Sequence, residues 1–353
     1  GVGAGINLPI GLVDRKAPEI TLSADTAYIS PNLDGVQDDL VKPLGIADER
    51  YVKGYRFLIY DSTGALVRTI ENKDERPENV TFKNVLARLA YVKKGISVPS
   101  ELRWDGRSDL GTVVPDGTYT YKLEAWDDND NLGESATGTV VVDNTPPAVA
   151  VSAPYLIFSP NGDGNKDVLP IAQEGSSEDR WEGQVTDAAG NLVAGFAWQY
   201  SVPPAFEWSG KNDSGVLAAD GVYSYRVAAT DRAGNAGSAQ LDNILINTLA
   251  TPINISISDA FISPNGDGIK DSVRFELQVP VTTGIERWAL RINSEAGQTM
   301  RTITGEDSID RELLFDGLDD RGSVLPEGTY TGALEVLYEN GNNPTAQSPA
   351  VSY

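Results

Sequence analysis

The longest runs of alternating apolar and polar residues are "GTYTYKLEAWD" (117–127), "GVYSYRVAATD" (221–231) and "GTYTGALEVLY" (328–338). In the first, Tyr119, Tyr121, Leu123 and Ala125 share one parity, as a strand with one buried face requires. Shorter alternating runs, "EITLS", "AVAVS" and "INISIS", follow proline-marked linkers near residues 16, 145 and 250. "YRFLIYDSTGALVRTI" reads as two strands around a turn, and "WEGQVTDAAGNLVAGF" and "WALRINSEAGQTMRTI" repeat it.

These strands belong to a repeat. An aromatic residue precedes a tyrosine by 15 positions three times: Trp104–Tyr119, Trp208–Tyr223 and Phe315–Tyr330. Another precedes a glycine by nine: Tyr55–Gly64, Trp181–Gly190 and Trp288–Gly297. The spacing between repeats is 104 residues (Trp104 to Trp208) and then 107 (Trp208 to Phe315). Turn signals every few residues predict an all-β chain of three tandem Ig-like or Fn3-like β-sandwiches, each with about seven strands. Their expected bounds are 17–146, 147–249 and 250–353, with residues 1–16 as a linker or a donated strand. The tyrosine after each "DG" or "EG" stands where a tyrosine corner would tie a strand to its loop.

One insertion breaks the pattern. "RPENVTFKNVLARLAYVKKG" places Phe82, Val85, Leu86, Leu89 and Val92 on one helical face, between Pro77 and Gly95. A helix near 77–94 is expected, covering the side of the first sandwich or receiving a partner.

Composition narrows the chemistry. The 353 residues include neither cysteine nor histidine, which removes disulfides, thiolate and imidazole metal sites, and Cys- or His-based catalysis. The net charge of −23 divides as −7 over residues 1–146, −7 over 147–249 and −9 over 250–353, and argues against nucleic acid and anionic bilayers. No apolar run is long enough for a membrane helix. The start without Met suggests a processed product or part of a longer chain.

The remaining candidate chemistry is a loop near the start of each repeat: "ISPNLDGVQD" (29–38), "FSPNGDGNKD" (158–167) and "ISPNGDGIKD" (262–271). Its oxygen-bearing residues are Asn32, Asp34 and Asp38; Asn161, Asp163 and Asp167; and Asn265, Asp267 and Asp271. Their spacing overlays part of an EF-hand-like calcium loop, but lacks the acidic residues at its first and last positions. Calcium ligation and a purely structural Asx turn are both open readings. Leu33, where the other copies have Gly162 and Gly266, disfavours a turn that needs glycine there. Asp105, Asp109 and Asp116 evoke paired glycosidase carboxylates, but the other repeats carry different acidic sets, and turn roles explain them better. Trp104, Trp181, Trp208 and Trp288 recur at landmarks and read as core; Trp126 and Trp198 do not recur, and are candidates for exposure.

The WDG…[DE]GxY segments resemble the Ig-like domain of the flagellar hook-capping protein FlgD. The SPNGDGxxD loop also resembles the signature of gliding-motility-associated C-terminal domains and loops of Fn3-like modules in cell-wall proteases. "TDRAGN" (230–235) is similar to the end of bacterial Ig-like adhesin repeats. The resemblance implies a non-catalytic spacer, adhesive or assembly array, extracytoplasmic, in a bacterial envelope or at its surface. Its partners would be neighbouring Ig-like modules, other surface proteins or further copies of itself. An adhesin or carbohydrate-binding module and a non-catalytic appendage of a secreted hydrolase are the alternatives.

Overall fold

The computed structural model describes residues 14–75 and 94–353. Every regular element among them is a strand. The helix expected near 77–94, and nearly all of the 1–16 segment, lie outside the described residues.

The first repeat contains β1 (Glu19–Leu22), β2 (Thr26–Ile29), β3 (Leu40–Ala47), β4 (Val52–Tyr60), β5 (Leu66–Lys73), β6 (Glu101–Trp104), β7 (Gly117–Asp127), β8 (Leu132–Glu134) and β9 (Gly138–Val142). One sheet has the order β1-β3-β6; the other runs β2-β9-β7-β4-β5, with β8 on β7. All these pairings are antiparallel except β2 with β9, which is parallel. The predicted alternation puts Tyr119, Tyr121, Leu123 and Ala125 inside, against Phe57, Ile59 and Trp104.

The second repeat contains β10 (Val149–Ser152), β11 (Ile157–Phe158), β12 (Leu169–Gly175), β13 (Glu178–Asp187), β14 (Leu192–Tyr200), β15 (Ala205–Trp208), β16 (Gly221–Thr230) and β17 (Ala236–Ile246). The third contains β18 (Asn254–Ile257), β19 (Val273–Gln278), β20 (Ile285–Ser294), β21 (Thr299–Asp307), β22 (Glu312–Phe315), β23 (Thr329–Tyr338), β24 (Thr345–Gln347) and β25 (Val351–Ser352). Each has a three-stranded sheet, β10-β12-β15 or β18-β19-β22, and a five-stranded one. Each also has its own buried cluster, around Trp181 and Tyr225 in one and around Phe275 and Leu334 in the other.

The landmark residues serve these cores. The hydroxyls of Tyr119, Tyr223 and Tyr330 donate to the carbonyls of Pro115, Ala219 and Pro326, at 2.8, 2.6 and 2.7 Å. This is the tyrosine-corner arrangement, four residues back along the chain. Trp104, Trp181, Trp208 and Trp288 are buried, and each indole N–H donates to a backbone carbonyl. Trp126 and Trp198 are half-buried, contrary to free exposure. Their rings lie over Gly54 and Gly183, occupying the space where a side chain would stand.

The chain divides into two compact units where the repeats predict three separate sandwiches. Among the described residues, the first comprises those up to Pro147 together with the turn Thr230–Gly237; the second comprises Ala148–Ala229 and Ser238–Tyr353. The second and third repeats therefore share one unit, despite having separate cores.

Candidate functional site

In each acidic loop the side chains fold back on the loop's own backbone. The last aspartate accepts two N–H groups, one on each oxygen. Asp38 takes Leu33 and Gly35, Asp167 takes Gly162 and Gly164, and Asp271 takes Gly266 and Gly268, all at 2.6–2.9 Å. The asparagine Oδ1 accepts the N–H two residues on: Asn32 from Asp34, Asn161 from Asp163 and Asn265 from Asp267. Oδ1 of Asp34, Asp163 and Asp267 does the same for Val36, Asn165 and Ile269. Its Oδ2 accepts from the asparagine Nδ2.

These are nested Asx turns. The structure brings together every site residue the sequence singled out, but every one of the five side-chain oxygens per loop faces an N–H donor. Calcium would require six to eight oxygens turned toward one centre. As folded, these oxygens serve the backbone and the amide of their own loop, one donor on each, and each oxygen has a second lone pair. The same two glycine N–H groups hold the Asp271 carboxyl below its ordinary 3.8.

Leu33 behaves differently from expectation. The position is left-handed in all three loops, with φ of 67° at Leu33, 84° at Gly162 and 80° at Gly266. Leucine accepts this backbone with its side chain 78% exposed, held by the Asp38 carboxylate on its N–H. Leu33 thus adopts a backbone that glycine favours, at some strain, although β2 and β3 on either side of the loop pair with other strands and form no hairpin.

The first two loops each carry a seated turn. Within the first unit, Ser30 Oγ donates to Oδ1 of Asn235 at 2.5 Å, and Asn32 Nδ2 reaches the same oxygen at 3.3 Å. Asn235 Nδ2 donates to the Asp143 carbonyl at 2.8 Å, and Gln37 Nε2 to the Arg232 carbonyl at 2.8 Å. The Arg232 guanidinium also lies over the Tyr28 ring, 5.6 Å from its centroid. Gly234, at φ 95°, is so close to the loop that a Cβ there would stand 2.6 Å from Val36 Cγ1.

The second unit repeats this with other residues. Asn161 Nδ2 donates to Oδ1 of Asn342 at 3.0 Å, and Asn342 Nδ2 to the Leu249 carbonyl at 2.7 Å. Lys166 Nζ takes the place of the Gln37 amide and donates to the Glu339 carbonyl at 2.8 Å. Gly341, at φ 97°, would place a Cβ 2.7 Å from the Asn165 carbonyl oxygen. Asn235 and Asn342 each stand 12 residues after the corner tyrosines, Tyr223 and Tyr330. Both are almost completely buried.

Sequence reading missed these joints. "TDRAGN" drew notice only as a resemblance, and "YENGNN" not at all. Aligning the two at the 107-residue spacing superposes their Gly-Asn pairs and was the available signal. The carboxylates considered for glycoside chemistry hold backbone and side-chain donors. Asp105 accepts from the Arg107 N–H, Asp109 from the Thr69 N–H, and Asp116 from Asn144 and Thr145. One acidic group also escaped notice. Asp14, Asp48 and Asp127 place carboxylate oxygens within 4.8 Å of one another. Asp127 is fully buried and accepts from the N–H groups of Asn129 and Asn131 and from Asn131 Nδ2.

No protein-family model matches the chain. It is 35% identical over 130 residues to the C5a peptidase of Streptococcus pyogenes, a match covering 36% of this chain and 10% of the peptidase. The chain thus spans about a tenth of the length of the curated relatives it matches. Similar solved structures include a tetra-tandem repeat from the extending region of a large adhesion protein. It has 18% identity and a TM-score of 0.27, with 93% of this chain and 74% of that one covered. A structure concerning host cell surface retention of a 1.5-MDa bacterial ice-binding adhesin shows 12% identity and a TM-score of 0.33, covering 96% and 98%. The Clostridium thermocellum CbhA fibronectin(III)-like modules show 14% identity and a TM-score of 0.33, covering 65% and 95%. Likeness at that level carries no weight for function.

Proposed function

We propose that the chain is a non-catalytic array of three Ig-like modules in a bacterial envelope or surface protein, serving as a spacer or adhesive stalk. The observation that carries this reading is the loop–turn joint, built twice with the same asparagine pairing (Asn32 with Asn235, Asn161 with Asn342). Each joint holds a linker carbonyl with a buried asparagine, so that linker, acidic loop and turn form one hydrogen-bonded cluster. The acidic loops act here as Asx-turn platforms. The paired variant Asn235→Ala/Asn342→Ala, studied as the full chain by small-angle X-ray scattering, tests the reading. Freed joints broaden the distance distribution, and a distribution identical to the parent's overturns it.

The match to C5a peptidase favours a second reading, a non-catalytic appendage of a secreted or surface peptidase. Sequencing the natural gene on both sides of this segment tests it. A protease domain in the same reading frame supports the appendage, and its absence removes it.

A further inference from the structure

We propose that the acidic loop of the third repeat, residues 262–271, is a docking surface for the Gly-Asn turn of a further Ig-like module joined on its C-terminal side. This rests on the reading of the two joints above.

The third loop is built like the two that carry turns. Asn265, Asp267 and Asp271 make the same internal bonds as their counterparts, and the Ser263 N–H donates to the Lys270 carbonyl as Ser30 does to Gln37 and Ser159 to Lys166. Lys270 also shares the left-handed backbone of Gln37 and Lys166, with φ of 55°, 49° and 46°. The contrast is in coverage. Ser30 and Ser159 are 1% and 0% exposed, whereas Ser263 is exposed. Ile269 stands at the position of Val36 and Asn165, which meet Gly234 and Gly341 in the two joints, and is 69% exposed against 48% for Val36.

The chain's own geometry selects the occupant. In both joints the seated turn follows in the same polypeptide, and carbonyls of the intervening linker, Asp143 and Leu249, hold the turn's asparagine. A second copy of this chain lacks a suitable free turn among the described residues. Its remaining equivalent, 127–131, has Asp130 at φ 62° where the seated turns have glycine. A Cβ at that point meets the loop at under 3 Å in both joints. Asp130 is moreover paired with Lys53 at 2.7 Å. A module with glycine before its turn asparagine has neither obstacle.

The absence of cysteine makes the test direct. Ser263→Cys is introduced into the 353-residue chain, and into the same chain extended after Tyr353 by a second copy of residues 143–249. Register supports this junction, since Tyr330 pairs with Val351 as Tyr119 pairs with Val140. Alkylation by iodoacetamide is expected to slow at least about tenfold on extension, because a seated turn must open before the thiol reacts. Asn235→Ala in the appended copy restores the fast rate. Ser30→Cys and Ser159→Cys report the existing joints and react slowly in both chains. Fast alkylation at 263 in the extended chain, with the two joint probes slow, overturns this inference alone. Fast alkylation at the joint probes overturns the joints and this inference with them.

Discussion

Ser30 and Asn235, 205 residues apart in sequence, share a 2.5 Å hydrogen bond in which both side chains are buried. Asn235 completes the site by donating to the Asp143 carbonyl and to Oδ2 of Asp231. Truncating it leaves a buried hydroxyl and a backbone carbonyl without these partners. Asn235→Ala is therefore expected to cost about 2 kcal/mol, the penalty for stranding buried polar groups. Asn342→Ala is expected to cost a similar amount through Asn161 and the Leu249 carbonyl. Denaturant unfolding of the full chain checks both, and a loss within error of zero refutes the assignment.

Glycine at the seated turns has a steric as well as a conformational role. Gly64 has φ 84° and open space around its missing Cβ, so Gly64→Ala carries only backbone strain of about 1 kcal/mol. Gly234 has φ 95° and Val36 at 2.6 Å from the same point. Gly234→Ala is expected to add overlap to strain and cost more than about 2 kcal/mol. Comparing the two alanine variants by thermal melting isolates the contact, and equal losses contradict it.

Leu33 offers the opposite sign. A β-carbon in the left-handed region costs about 1–2 kcal/mol, and glycine relieves it at some cost in unfolded-state entropy. The leucine side chain is 78% exposed, so little packing is lost. Leu33→Gly, which reproduces Gly162 and Gly266, is expected to stabilise the chain by about 0.5–1 kcal/mol. A lowered melting temperature contradicts the assigned backbone strain.

The contrast between what the sequence revealed and what it hid has a physical basis. Period-two alternation and the 15-residue aromatic–tyrosine spacing were legible because strand burial and the Tyr119, Tyr223 and Tyr330 corners are local or near-local consequences of the chain. The nine oxygen-bearing loop residues were recognised as a set, but their chemistry was not decided. Composition cannot distinguish an oxygen turned toward a cation from one turned toward Gly35 or Gly164. The joints were hidden because they pair positions far apart and use different partners. Gln37 in one and Lys166 in the other both reach a carbonyl, which any residue supplies.

The loop geometry makes a statement about calcium. The oxygens of Asp38, Asp167 and Asp271 accept backbone N–H groups, so each turn is held by its own chain. Melting curves with added calcium and with chelator are expected to coincide. Asp167→Asn leaves one oxygen to serve two N–H groups and is expected to lower stability by about 1 kcal/mol in either condition. A calcium-dependent rise in melting temperature that Asp167→Asn abolishes would reverse this reading.

Acid should weaken the protein through carboxylates of this kind. The side-chain amide of Asn191 and nearby backbone N–H groups hold Asp187 below its ordinary 3.8. The Thr63 hydroxyl does the same for Asp61, and the N–H groups of Gly266 and Gly268 for Asp271. Each group has a folded pKa below its unfolded one, so the unfolded chain takes up protons first as pH falls. Their contribution is complete above the unfolded value and is lost as pH drops through the lower folded values. The melting temperature is thus expected to hold steady on acidification until pH approaches 3.8, and to fall below it. Asp271→Asn, which no longer titrates, is expected to start lower at neutral pH and to decline less steeply in acid. Parallel declines for the parent and the variant would show that Asp271 does not contribute to the acid transition.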